Sequence, residues 1–179
     1  FNRNFKWGQP AKKKNFFCLG VDPSKNISNL AKKKSINIVN NYFNVSTANL
    51  ILKKFNKFDY ITASNVFAHI DDICGSLEVI KEILIPNGIF IIEVPYLKNL
   101  IEGLAYDTIY HEHLSYLSVT PLKAIFTKFE LEIFDVEFQK IHGGSIRVFV
   151  QHKNGVNKKS AKLKMILEEE KKQKIHDIN

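Results

Sequence analysis

The sequence predicts an α/β fold, a mostly parallel sheet with helices on both faces. Three observations predict it. Short apolar runs alternate with amphipathic stretches from Phe16 to Val94. The apolar runs are nearly continuous, as in strands buried on both faces. Turn signals such as Asp22-Pro23-Ser24 and Pro86-Asn87-Gly88 separate the two kinds of segment. Strands and helices in alternation connect through right-handed crossovers between parallel neighbours.

Each element follows from local pattern. Phe16–Val21 reads as a buried strand closed by the Asp22 turn, and Asn26–Lys34 as a helix. Ile36–Phe43 alternates as a second strand. Ser46–Phe55 sets Leu50, Ile51 and Phe55 at helical spacing. Phe58–Ala63 is a third strand. Asp71 or Asp72 caps a helix that runs to about Leu84. Pro86-Asn87-Gly88 breaks it, and Ile89–Val94 is the fourth strand. After Pro95 the alternation stops. Leu97–Leu104 and Pro121–Lys128 predict helices, while Thr108–Ser118 is rich in His, Tyr and Ser without a period. Glu132–Phe138 and Ser145–Gln151 predict strands joined by a His-Gly-Gly loop, and Asn154-Gly155 a turn. From Asn157 the chain becomes a charged helix with few apolar residues. The predicted organisation is an irregular segment over 1–15, an α/β domain over 16–152 and a charged helical linker over 153–179.

The chain has 179 residues, 45% of them hydrophobic, which suits one globular domain with a sizeable core. No apolar run reaches the roughly 18–20 residues that span a bilayer, so no membrane is expected. Cys18 and Cys74 lie far apart, form no CxxC pair and read as buried thiols of a reducing, cytoplasmic protein. A net charge of +8 raises nucleic acid as a partner. However, Lys, Asn, Ile and Phe are all abundant and share A/T-rich codons, so codon bias accounts for the Lys runs. No nucleic-acid partner is expected.

Ligands of open parallel sheets bind beyond the C-terminal strand ends. Asp22 ends the first strand, where a carboxylate can accept both hydroxyls of a ribose. It can instead cap the next helix, a role open equally to Ser24. Asn65 and His69 follow the third strand, and Glu93 ends the fourth. Asn65 can orient a ligand through its amide; His69 can move a proton or hydrogen-bond. Each, taken alone, also fits a structural polar residue.

Tyr110-His111-Glu112-His113 is the densest cluster of titratable groups. Histidine suits proton transfer near neutral pH, a carboxylate beside it can fix its tautomer, and a phenol can hydrogen-bond a developing enolate. Such a set can take a proton alpha to a ketone. The rival is a metal site, because on a strand His111 and His113 would share a face with Glu112 nearby. The spacing is not HExxH. His142-Gly143-Gly144-Ser145 is either a loop that lets backbone approach a ligand or a plain hairpin turn. Arg147 can pair with a carboxylate or phosphate, or be a surface charge.

Taken in order, Asn65-Val66-Phe67-Ala68-His69-Ile70-Asp71-Asp72, Ile92-Glu93-Val94-Pro95-Tyr96, Asp107 to Tyr116 and His142-Gly143-Gly144-Ser145-Ile146-Arg147 resemble the NDP-hexose C-methyltransferase family of deoxysugar biosynthesis. The similarity covers Phe16 to Gln151, and the YHEH segment with the HGGSxR loop makes it specific. The resemblance implies a class I methyltransferase, Rossmann-like fold. It implies S-adenosylmethionine as donor and a nucleotide-linked keto-sugar, usually dTDP-linked, as acceptor. It implies His113 as the base at the carbon to be methylated, with Tyr110, Glu112 and His69 lining the same pocket and Tyr110 or His69 holding the enolate. Asp22 and Asn65 then become cofactor-binding residues. Glu93, Tyr96, His111, His142 and Arg147 become substrate-binding residues, and no metal is required.

The family's glycine-rich loop should precede Phe16, where Phe1–Asn15 offers only Gly8. A cysteine-rich zinc module upstream and a second α/β domain downstream are expected as well. On this reading the chain is an N-terminally truncated middle piece of a longer protein, expected to bind the cofactor weakly or not at all. Asp22 stands where the family commonly has glutamate. The alternatives are a methyltransferase of other atom or substrate, a non-catalytic piece that keeps the sugar pocket, and a metal-dependent hydrolase or epimerase.

Overall fold

Side-chain caps start four of the six α-helices in the computed structural model, which describes residues 14, 16–141 and 143–175. The irregular segment expected over 1–15, with Gly8, therefore lies outside the described residues apart from Lys14. The described residues fall into two compact units that part between Asn56 and Lys57.

In the first unit, β1 (Leu19–Val21) pairs in parallel with β2 (Asn37–Val39), Gly20 opposite Ile38. Both strands are shorter than the apolar runs predict. Asn40 ends β2 by donating its amide to the Asp22 and Pro23 carbonyls, each at 2.9 Å. The crossover is α1 (Lys25–Lys33). Ser24 caps it, accepting the Ile27 N–H at 3.4 Å, and Lys32 and Lys33 sit in its last turn, where the helix dipole favours cations. α2 (Val45–Phe55) is capped by Asn44, which accepts the Thr47 N–H at 3.0 Å. Ala48 and Ile51 are buried on it, whereas Leu50 is 59% exposed.

The second unit holds β3 (Phe58–Ser64), β4 (Leu84–Pro95), β5 (Leu131–Gln139) and β6 (Ser145–His152) in the order β3-β4-β6-β5. β3 and β4 are parallel. Their crossover is α3 (Ile73–Ile83), capped by Asp72, which accepts the Gly75 N–H at 2.8 Å. β6 runs antiparallel to both β4 and β5, and with β5 it forms a hairpin, whose short loop can join only antiparallel strands. Pro86-Asn87-Gly88 lies inside β4 and does not separate helix from strand. The residues between Leu84 and Ile89 bulge against Asp59, a pairing the local sequence does not announce.

The core sits on β4 and β6. Phe90, Ile92, Val94, Ile146, Val148 and Val150 are all 0% exposed, and each such side chain contributes roughly 1.5–3 kcal/mol. Phe67, Phe90 and Phe126 meet as a triangle of rings with centroids 6.2, 6.2 and 6.3 Å apart. α4 (Leu97–Glu102) and α5 (Val119–Lys128) follow β4.

The charged helix expected as a linker is docked. α6 (Ala161–Lys172) packs on α5 and β5 and buries Leu163, Ile166 and Glu170. That stripe is narrow, and the lysines and glutamates around it hide it in the sequence. The cysteines also differ from expectation: Cys74 is exposed and Cys18 half-buried, because Cys74 lies off the α3 face that buries Ser76, Leu77 and Ile80. Among the described residues no helix is long and apolar enough to cross a membrane.

Candidate active site

β3 ends with Ser64 opposite Glu93 of β4. Asn65 then reverses the chain at φ 52°, a left-handed conformation that asparagine adopts more readily than most residues. Its N–H donates to the Glu93 carbonyl at 2.7 Å. Its Oδ1 is buried and has no hydrogen-bond partner among the described residues, an arrangement that costs free energy.

The chain next forms a 3-10 turn, Phe67–His69. Phe67 anchors it in the ring triangle. The Ala68 carbonyl accepts the Leu114 and Ser115 N–H groups at 3.0 and 3.2 Å, which brings the YHEH segment onto this turn. His69 donates from Nδ1 to the Glu112 carbonyl at 2.6 Å, since a carbonyl only accepts.

His113 is held in the same manner. Its Nδ1 lies 2.8 Å from the Thr108 carbonyl and must donate to it. Nε2 of the neutral ring is then an acceptor, and the Tyr110 hydroxyl donates to it at 3.0 Å. The Tyr110 ring lies over His113 at 4.2 Å between centroids, His69 stands 4.9 Å away, and Tyr116 is edge-on at 6.1 Å. Tyr116 also donates to the Thr108 carbonyl, at 3.1 Å. Ala68, Val94, Pro95 and Leu100 give this cluster an apolar floor.

Tyr110 to His113 is a turn closed by the His113 N–H on the Tyr110 carbonyl at 3.0 Å. The strand face required for a metal site of His111, Glu112 and His113 does not form. His111 and Glu112 are exposed, and Glu112 joins the cluster through its carbonyl, not its carboxylate. Among the described residues no group of three or more His, Cys, Asp or Glu is arranged to hold a metal.

Glu93 and Arg147 face each other across the β4–β6 ladder. Arg147 donates from Nη2 and Nε to Glu93 Oε2 at 2.8 and 3.1 Å, and from Nη1 to Glu137 at 3.3 Å. Glu93 is 1% exposed. The structure thus couples two expected substrate residues to one another.

Tyr96 is also 1% exposed, and its hydroxyl donates to the buried Glu170 at 2.9 Å. Burial, then the charge of Glu170, holds this phenol well above its ordinary pKa. A ligand would have to displace α6 to reach that hydroxyl, so the structure gives Tyr96 a packing place outside the cluster. His142 lies outside the described residues. Beside it, Gly144 has φ 114°, its carbonyl accepts the Tyr96 N–H at 3.1 Å, and a Cβ there would collide with the Asn99 side chain. Within the first unit, Asp22 stands at the C-terminal end of β1, and its Oδ1 accepts the Ser24 N–H at 2.8 Å. The cap is Ser24, and Asp22 braces it.

The structure therefore gathers His69, Tyr110 and His113 and leaves His111 and Tyr96 outside. Thr108 and Tyr116 carry no role in the sequence reading. Tyr116 falls within the quoted motif, but the Thr108 contribution is a backbone carbonyl, which no side chain signals.

A methyltransferase-domain family matches residues 6–136, and a C-methyltransferase C-terminal domain matches residues 140–179. The C-methyltransferase NovU of Streptomyces niveus is 35% identical over 131 residues, 73% of this chain and 31% of NovU. The chain thus spans about a third of the length of that relative. Among solved structures, the magnesium protoporphyrin IX methyltransferase of Synechocystis PCC 6803, with bound SAH, superposes with a TM-score of 0.60 at 9% identity, covering 82% of this chain and 68% of that one. A possible histamine N-methyltransferase of Thermotoga maritima gives 0.59 at 19% identity over 79% and 76%. The CMeT domain of the citrinin polyketide synthase gives 0.57 at 13% identity over 86% and 44%. The shared α/β architecture is the Rossmann-like fold of class I S-adenosylmethionine-dependent methyltransferases, and this chain belongs to the methyltransferase-domain family.

Proposed function

We propose that this chain carries the acceptor site of an S-adenosylmethionine-dependent C-methyltransferase in which His113 removes the proton from the carbon to be methylated. One observation carries the reading: Thr108 holds His113 by Nδ1, which leaves Nε2 an acceptor that, among the described residues, the Tyr110 hydroxyl covers. A ketone entering beside Tyr110 takes over that hydroxyl at its carbonyl oxygen. The exchange uncovers Nε2 for the proton alpha to the ketone, and the phenol then stabilises the enolate. His69 already spends its Nδ1 donor on the Glu112 carbonyl, so Tyr110 is the better enolate donor.

S-adenosylmethionine, when bound, supplies an electrophilic methyl group. Each unit, taken by itself, has a polar group of a kind that suits it. Asn65 Oδ1 is a buried acceptor awaiting an N–H or O–H, and the Asp22 carboxylate can accept ribose hydroxyls. The acceptor we favour is a nucleotide-linked keto-deoxysugar, such as a dTDP-sugar. The YHEH and HGGS motifs and the similarity to a C-methyltransferase support it. Glu93 and Arg147 serve it indirectly by fixing the β4–β6 ends that present Gly143 and Gly144. A reducing cytoplasm suits the two free cysteines.

The test is His113→Ala, assayed for methyl transfer to a dTDP-keto-sugar and for S-adenosylhomocysteine binding by calorimetry. Transfer should fall about 10²–10⁴-fold with cofactor-product affinity unchanged. Transfer at the wild-type rate would remove His113 from the chemistry.

A further inference from the structure

We propose that Glu170 of α6 is a positioning residue for the His113 cluster, because its buried carboxylate closes the neck of the loop that carries the cluster. The inference rests on the reading of that cluster as the active site.

The chain leaves the sheet at Tyr96, runs through α4 and the His113 turn, and returns at Leu117. Tyr96 and Leu117 form a parallel bridge, and the Leu97 N–H donates to the Leu117 carbonyl at 2.9 Å. Glu170 binds both sides of this neck with one group. Oε1 accepts the Tyr96 hydroxyl at 2.9 Å and the Val119 N–H at 2.8 Å, and Oε2 accepts the Thr120 N–H at 2.8 Å. Ser118, the N-cap residue of α5, makes no capping bond with its side chain, so Glu170 acts as the helix cap from a distance. Lys98, the second residue of α4, is tied to the adjacent Glu169 at 2.8 Å.

The carboxylate is 0% exposed. An apolar side chain there would fill the same volume without desolvating a charge. What the charge adds is a single geometry, because three donors from two chain segments must converge on it. That geometry reaches the site within a few residues. Tyr116 is edge-on to His113, and the Ser115 N–H is on the Ala68 carbonyl beside His69. If the neck slips, both histidine rings move relative to each other.

Glu170→Gln replaces an acceptor oxygen with an NH2 that faces N–H or O–H donors. Tyr96→Phe removes one bond and keeps the carboxylate, so it remains informative if the first variant folds poorly. Ile166→Val on the same helix is the control for weakened α6 packing. The readouts, on the full chain, are the ring ¹⁵N chemical shifts of His69 and His113, with kcat and KM for methyl transfer alongside. Glu170→Gln should shift both sets of ring resonances and lower kcat by up to about 10²-fold with little change in KM. Tyr96→Phe should move them the same way by less, and Ile166→Val should lower Tm with the resonances in place. If the two neck variants lower Tm but leave the histidine resonances unmoved, Glu170 is only structural and the proposal falls. If the resonances shift in a chain whose unaltered form transfers no methyl group, the neck stands and the functional reading fails instead.

Discussion

The rung between Glu93 and Arg147 and the turn around His113 bring charged or titratable groups together by opposite means. In the rung, side chain meets side chain across adjacent strands, and the register of β4 and β6 leaves each group occupied by its partner. In the turn, backbone carbonyls hold both rings at Nδ1, and the second nitrogen of His113 meets the neutral Tyr110 hydroxyl. A charge bound by an opposite charge is used up by it; a ring held by the backbone at one end can exchange a neutral partner at the other. That difference separates a structural ion pair from a candidate base more sharply than residue type does.

Breaking the rung should have the largest effect on stability. Arg147→Met leaves Glu93 charged, 1% exposed and short of its main donor, which should cost about 3–5 kcal/mol in a denaturant melt. The double variant Glu93→Gln/Arg147→Met should recover part of the loss, because no charge is stranded. Breaking the turn should instead show in activity. Tyr110→Phe deletes the hydroxyl over Nε2 and should reduce kcat about 10²–10³-fold, with less than about 1.5 kcal/mol lost from stability. A melt that falls as far as that of Arg147→Met would erase the distinction drawn here.

The smallest effect lies at Glu132, another side chain bound by side chains. Burial raises its pKa, but Lys159, Gln151 and the Asn154 N–H together lower it below the ordinary value. A lowered carboxyl stabilises the fold above its unfolded pKa, and that contribution disappears as pH falls through the folded one. Glu132→Gln should therefore cost about 1 kcal/mol or less near neutral pH and nothing in strong acid, as read from melts across that range.

Residues whose partners are near in sequence were legible. Ser24 and Asp72 cap their helices from local pattern alone, and the strands on either side of the His-Gly-Gly loop begin and end within a residue or two of their apolar runs. Features set by distant partners were not. Pro86-Asn87-Gly88 looks like a break until Asp59 lies across from it, and α6 looks solvated until Leu163 and Ile166 find β5 and α5. The site divides along the same line. His69, Tyr110 and His113 could be picked out by their chemistry, and they do meet. Tyr96 carries the same chemistry, but Glu170, far along the chain, claims its hydroxyl. Glu112 takes part through an atom that every residue has.

The Thr108 carbonyl accepts from both His113 and Tyr116. The pivot of the cluster is therefore a group that no codon specifies. Any amino acid that keeps the short turn at Tyr106–Thr108 keeps the pivot. The Thr108 hydroxyl donates to the Ala105 carbonyl at 2.7 Å and braces that turn, so the side chain at this position acts on the rings only through the backbone it steadies.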